Sequence, residues 1–202
     1  MRPSFYSLLT AVTDIGDSAS LLAIVGAGSL YLLSRKSRRA ALFLLGSFLL
    51  AVISIALAKL AFIGCRAFFH RPDIQSPSGH AALSAAVFWA YAILMRSHLA
   101  PNRRFLPLLL LSLLIVAIAI SRVALHDHSA AEVWLGLFAG SVSLFIAYFF
   151  ILKGKAIAPF DAYVLALWGV AAAFVTHGMR FPAEHLIHLL AFHLRSHAAF
   201  CG

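Results

Sequence analysis

Between two long apolar runs, residues 121–133 read SRVALHDHSAAEV, which brings an arginine, two histidines and two carboxylates into thirteen positions. His128 and Glu132 stand four residues apart, a spacing that puts imidazole and carboxylate on one helical face within contact. Such an acid can hold the ring in one tautomer and stabilise its cationic form. Arg122, six residues before His128, adds a planar fork suited to phosphate oxygens. Pro77, Ser78, Gly79 and His80 spell PSGH at the start of an earlier apolar run. Proline is favoured in a first helical turn, Ser78 can cap, Gly79 lets an oxyanion approach the backbone, and helix N-termini attract phosphate. Lys59 and Arg66 lie seven residues apart near the end of the run before that. On a continuous helix this is almost two turns, so the two cations share a face about 10 Å apart along the axis.

Each group taken alone has a plainer reading. Lys59 and Arg66 could snorkel to headgroups, PSGH could be an ordinary helix cap, and Arg122, His128 and Glu132 could relay protons. Taken as a set on one side of a membrane, Lys59, Arg66, Ser78, Gly79, His80, Arg122, His128 and Glu132 describe an oxyanion site with cations in excess. That suits phosphoryl transfer, where catalysis consists largely of positioning the phosphoryl group and neutralising its charge. Two histidines allow one to attack phosphorus and the other to protonate the leaving oxygen.

The elements that must position these groups are apolar helices. The chain has 202 residues, 62% hydrophobic and 11% charged, against about 25% charged in soluble proteins. Apolar runs at about 18–33, 40–64, 79–95, 105–125, 131–152 and 156–176 are each near the roughly 20 residues that cross a bilayer as a helix. They are continuous and do not alternate with period two, which excludes a β-barrel reading. The expected fold is all-α: a polytopic membrane helical bundle with about six transmembrane helices. It forms one domain over 1–202, with an opening amphipathic segment at 1–17, a six-span bundle at 18–176 and an interfacial tail at 177–202. Asp14 and Asp17 precede the first run where a signal peptide would be basic, so that run reads as a retained anchor.

Charge sets the orientation. Arg35, Lys36, Arg38, Arg39, Arg96, Arg103, Arg104, Lys153 and Lys155 all fall on one side, the cytoplasmic one. Asp14, Asp17, Asp73, Asp127, Glu132 and Glu184 fall on the other, with both termini and the loops at 65–78 and 126–130. The formal charge of +9 is divided among short loops without stacking aromatics, which argues against nucleic acid and for topology and anionic headgroups. Cys65 and Cys201 cannot form a disulfide framework, though on one extracytoplasmic side they could pair. The tail histidines at 185, 188, 193 and 197 read as the polar stripe of an interfacial helix.

At these residues the chain resembles the type 2 phosphatidic acid phosphatase family, whose motifs are KxxxxxxRP, PSGH and SRxxxxxHxxxD. The second is unaltered at residues 77–80. The third is present as Ser121, Arg122, His128 and, in place of aspartate, Glu132, whose extra methylene keeps the charge and lengthens the reach. His126 lacks an acid four residues on, where Ala130 stands. The first motif is degraded: Lys59 and Arg66 keep the spacing but Ala67 follows, whereas Arg71 and Pro72 keep the dipeptide at the wrong distance. The shared helical face favours Arg66.

The resemblance implies a bacterial-type integral membrane enzyme of the inner (plasma) membrane, its site on the periplasmic face, hydrolysing a lipid phosphomonoester or diphosphate without metal or cofactor. In that reading His128 is the nucleophile, Glu132 orients it, His80 is the general acid, and Lys59, Arg66, Ser78, Gly79 and Arg122 hold the phosphoryl oxygens. A lipid phosphotransferase with the same site, a proton-coupled transporter, and a zinc hydrolase built on His80, His126, Asp127 and His128 remain alternatives. Which lipid phosphate is used, and the oligomeric state, are not encoded in these patterns.

Overall fold

In a computed structural model, the described residues are 3–64, 74–179, 187, 189 and 190. Each apolar run becomes a helix. The order is α1 (Pro3–Ile15), α2 (Ser18–Ser34), α3 (Arg38–Gly64), α4 (Gly79–Ser97), α5 (Leu106–Ala124), α6 (Ala130–Ala147) and α7 (Ala162–Val175), with a 3-10 turn at Pro101–Arg103 and a π-helical turn at Tyr148–Leu152. Local chemistry sets several boundaries. Asp17 Oδ1 accepts from Ala19 N at 2.8 Å to start α2, and Asp161 Oδ1 accepts from Tyr163 and Val164 N at 2.8 and 3.1 Å to start α7. The last helix therefore starts later than the apolar run at 156 suggests. Pro159 disfavours helix in the residue before it, and the cap comes two residues after.

Among the described residues, three helical stretches are long and apolar enough to cross a membrane: Arg38–Phe62, Pro101–Ala124 and Ala130–Leu152. A fourth results if the α1–α2 pair, bent by 47°, counts as one span. The remaining helices are α4, with polar His80 and Arg96 near its ends, and α7, with only 14 residues. The expected six crossings thus exceed what length and composition establish.

The core forms around α4, which packs against α2, α3, α5, α6 and α7 and buries Ala81, Ala82, Ala85, Ala86 and Ala90. Small residues let backbones approach closely. A Cβ on Gly136 would overlap the Ser78 carbonyl, and one on Gly140 the Ala82 carbonyl, so these two glycines set the α4–α6 seam. Large apolar side chains such as Leu30, Trp134, Phe138, Phe150 and Phe174 stay exposed on the outside, the surface that acyl chains would solvate.

Candidate functional site

The turn that carries His128 is made by the end of α5. His126 adopts φ 59°, an uncommon left-handed conformation for a residue with a side chain but one that histidine is enriched in. The chain reverses there, and Asp127 N and His128 N both donate back to the Arg122 carbonyl, at 3.1 and 3.2 Å. His128 is thereby held against the arginine that precedes it by six positions.

Ser129 then opens α6 with a capping box. Its hydroxyl accepts from Glu132 N at 3.3 Å, and Glu132 Oε2 accepts from Ser129 N at 3.1 Å. The same Oε2 lies 2.8 Å from His128 Nδ1, so the contact expected from the four-residue spacing is present. The other oxygen has a different task. Glu132 Oε1 accepts from the backbone N–H groups of Gln75 and Ser76 at 2.6 and 2.8 Å, while Ser78 N donates to the Glu132 carbonyl at 3.0 Å. One buried carboxylate therefore joins the histidine to the loop that leads into α4. The extra methylene of glutamate gives it that span.

PSGH takes its place through this junction. Ser78 is the N-cap residue of α4, yet its hydroxyl makes no capping bond, contrary to the expected cap. The hydroxyl is buried and has no hydrogen-bond partner among the described residues, and the same holds for Arg122 Nε. The Ser29 and Ser84 hydroxyls share this property within the bodies of α2 and α4. Arg122 is anchored by its Nη1, which lies 2.8 Å from Asp127 Oδ2 and donates to Thr13 Oγ1 at 3.2 Å. Asp127 remains exposed and also pairs with the arginine, and Thr13 brings the opening segment into contact with the same side chain.

Lys59 is buried on α3. It lines a cavity of about 300 Å³ together with Asp17, Gly79 and His80, whose remaining wall includes Leu22, Phe48 and Val52. Among the described residues a Cβ on Gly79 would meet only Lys59 Cε, at 3.9 Å, so their packing does not require glycine there. Within that cavity lining, Asp17 Oδ2 lies 3.6 Å from His80 Nε2. Sequence reasoning used Asp17 to read the first run as a retained anchor and to orient the chain, and gave it no role toward His80. Its one visible signal was a carboxylate at the mouth of an apolar helix.

The structure thus brings Lys59, Gly79 and His80 to one cavity and joins Ser78 by backbone to the His128–Glu132–Arg122 group. Arg66, Arg71, Cys65, Cys201 and the histidines at 185, 188, 193 and 197 lie outside the described residues. Among the described residues no group of three or more His, Cys, Asp or Glu side chains is placed to hold a metal ion, so His80, His126, Asp127 and His128 do not gather as a zinc site would need.

Residues 63–156 match the model of the PAP2 superfamily, a stretch that contains Ser78, His80, Arg122, His128 and Glu132. The chain is also similar to an "Uncharacterized 22.5 kDa protein in cps region" of Klebsiella pneumoniae, 28% identical over 189 residues, or 89% of this chain and 88% of the relative. No solved structure matches it.

Proposed function

We propose, from the match of residues 63–156 to the PAP2 superfamily model, that the chain is an integral membrane lipid phosphate phosphatase working through a phosphohistidine. The superfamily covers phosphatases acting on lipid phosphates. His128 Nε2, opposite the nitrogen held by Glu132, attacks phosphorus while the bond to the lipid oxygen breaks, and His80 gives that oxygen a proton. Water then displaces the histidine from phosphorus with His80 as base, releasing phosphate and restoring both rings. Lys59, Arg66, Ser78, Gly79 and Arg122 hold the phosphoryl oxygens.

One observation carries this reading. Two buried donors, Ser78 Oγ and Arg122 Nε, have no acceptor among the described residues, and backbone hydrogen bonds tie them to opposite ends of the His128–Glu132 pair. An unmet buried donor costs about 1–3 kcal/mol. Phosphoryl oxygens would meet both.

The apolar wall of the cavity beside Lys59 and His80 supports a lipid tail next to the phosphate. Six crossings over 18–176, with 1–17 and 177–202 at the interface, would put this end of the bundle on the extracytoplasmic side. In support, Arg96, Arg104 and Lys155 line a separate cavity, and Arg39 donates to the Ala156 carbonyl at 3.1 Å, which gathers cations from four segments around the other end.

The test uses purified protein in detergent with chelator present. Wild type should release phosphate from at least one of phosphatidate, phosphatidylglycerol phosphate and a polyprenyl diphosphate, and should carry acid-labile phosphate on histidine after a rapid quench. His128→Ala should insert and fold but do neither. Wild-type rates from that variant would overturn the nucleophile, and inactivity of wild type on every lipid phosphate would overturn the substrate class.

A further inference from the structure

We propose that Asp17 is a positioning residue for His80, holding the ring in place and in the cationic form that can give up a proton. The inference rests on the general-acid role given to His80 above. It adds a residue outside the 63–156 segment that the family model matches.

Three observations carry it. Asp17 Oδ2 is 3.6 Å from His80 Nε2, with the two side chains 10% and 24% exposed. A carboxylate at that distance favours an imidazolium over an imidazole. Asp17 is itself fixed, because Oδ1 accepts from Ala19 N at 2.8 Å and its own N–H donates to the Asp14 carbonyl at 3.2 Å. One carboxylate oxygen thus caps α2 while the other faces the ring. Finally, the turn is wedged into the bundle: a Cβ on Gly16 would lie 2.8 Å from Ile118 Cγ2 and 2.9 Å from Ser84 Oγ.

The same segment touches the site twice. Thr13 Oγ1 accepts from Arg122 Nη1 at 3.2 Å, so residues 13–17 form a wall shared by the phosphate-holding arginine and the proton-giving histidine. Among the described residues, the charged groups that line one cavity with His80 are Asp17 from the α1–α2 turn and Lys59 from α3, and Asp14 is buried in the same turn. A cation and an anion flank the ring on different elements. Lys59 suits phosphate, and Asp17 suits the imidazolium.

In the reaction, the proton leaves the His80 imidazolium for the lipid oxygen as its bond to phosphorus breaks. It is regained from the water that attacks the phosphohistidine. Asp17 touches no reacting atom.

Leaving-group chemistry provides the test. An alkyl oxygen needs a proton to depart, whereas p-nitrophenolate does not. Asp17→Asn keeps an N-cap of equal quality and removes the charge. Turnover of dioctanoyl phosphatidate should fall by roughly 10- to 100-fold, less than the 10²–10⁴ that a whole general acid supplies. Hydrolysis of p-nitrophenyl phosphate should fall less than threefold, and KM for either ester should hold. Asp17→Ser, which also caps, should behave alike, and either variant should add little to His80→Ala.

Equal losses on the two esters for both Asp17 variants, or no loss, would overturn the inference while a leaving-group-selective His80→Ala keeps the general acid intact. If His80→Ala itself loses both activities equally, the general-acid reading fails and Asp17 with it. Full additivity of Asp17→Asn and His80→Ala would also overturn the positioning role.

Discussion

Two histidine–carboxylate pairs lie at one end of this bundle, and they are built in opposite ways. His128 and Glu132 meet at 2.8 Å within one turn of chain, oriented by a capping box that the sequence itself writes. His80 and Asp17 lie 3.6 Å apart across 63 positions, and meet only because the α1–α2 turn docks against α4 and α5. The first pair exists as soon as α6 does. The second depends on the whole bundle. On the proposed roles, the His128 nucleophile would need one tautomer and one direction, which local geometry supplies, whereas a proton donor at His80 would come from another element, which only packing can arrange.

The comparison breaks most sharply at Glu132. In Glu132→Gln the amide can accept from Gln75 and Ser76 or from His128, but its other end then presents N–H to the remaining partner. The wrong tautomer lowers kcat by about 10⁴-fold in a comparable triad, and a similar fall is expected here for every phosphate ester, whatever its leaving group. Single-turnover assays on p-nitrophenyl phosphate would check this. A loss restricted to poor leaving groups would make Glu132 a partner of the acid and not of the nucleophile.

Glu132→Asp is the subtler probe. The shorter side chain cannot reach His128 and the 75–76 backbone together, and a shift of about 1 Å costs up to about a hundredfold in rate. We expect a decrease of that order in kcat, with a lower melting temperature if the two N–H groups are the ones left unmet. Wild-type kinetics would mean that the loop at 74–78 follows the carboxylate.

Much of the local pair was legible in the sequence. The four-residue spacing of His128 and Glu132, the PSGH start of α4 and the helical state of all six apolar runs depend on neighbours within a turn or two. What escaped depends on residues far apart in the chain. The pairing of Asp17 with His80, of Thr13 with Arg122 and of Asp127 with Arg122 follows from no short-range pattern. Ser78 was expected to cap, since nothing in four letters shows that its backbone N–H is taken by Glu132 while its hydroxyl stays uncommitted. The late start of α7 was written in Pro159 and Asp161, but hydropathy alone extended the run to 156.

The smallest expected effect isolates the long-range pair from the local one. Gly16→Ala adds a Cβ against the hydroxyl of Ser84 and a methyl of Ile118, whose β-branched side chain is stiff at χ1. The α1–α2 turn must move outward by a few tenths of an ångström, carrying Asp17 from His80. Overpacking of this kind costs about 1–3 kcal/mol, so the melting temperature in detergent should fall. A displacement below 1 Å costs well under a hundredfold in rate, so turnover of an alkyl phosphate should drop roughly tenfold. Formation of the phosphohistidine from p-nitrophenyl phosphate should stay near wild type, because none of the contacts around His128 and Glu132 runs through Gly16 and Arg122 keeps its ion pair with Asp127 if Thr13 shifts with the turn. If both esters slow together, the turn supports the nucleophile as well, and the two pairs are one coupled unit instead of two.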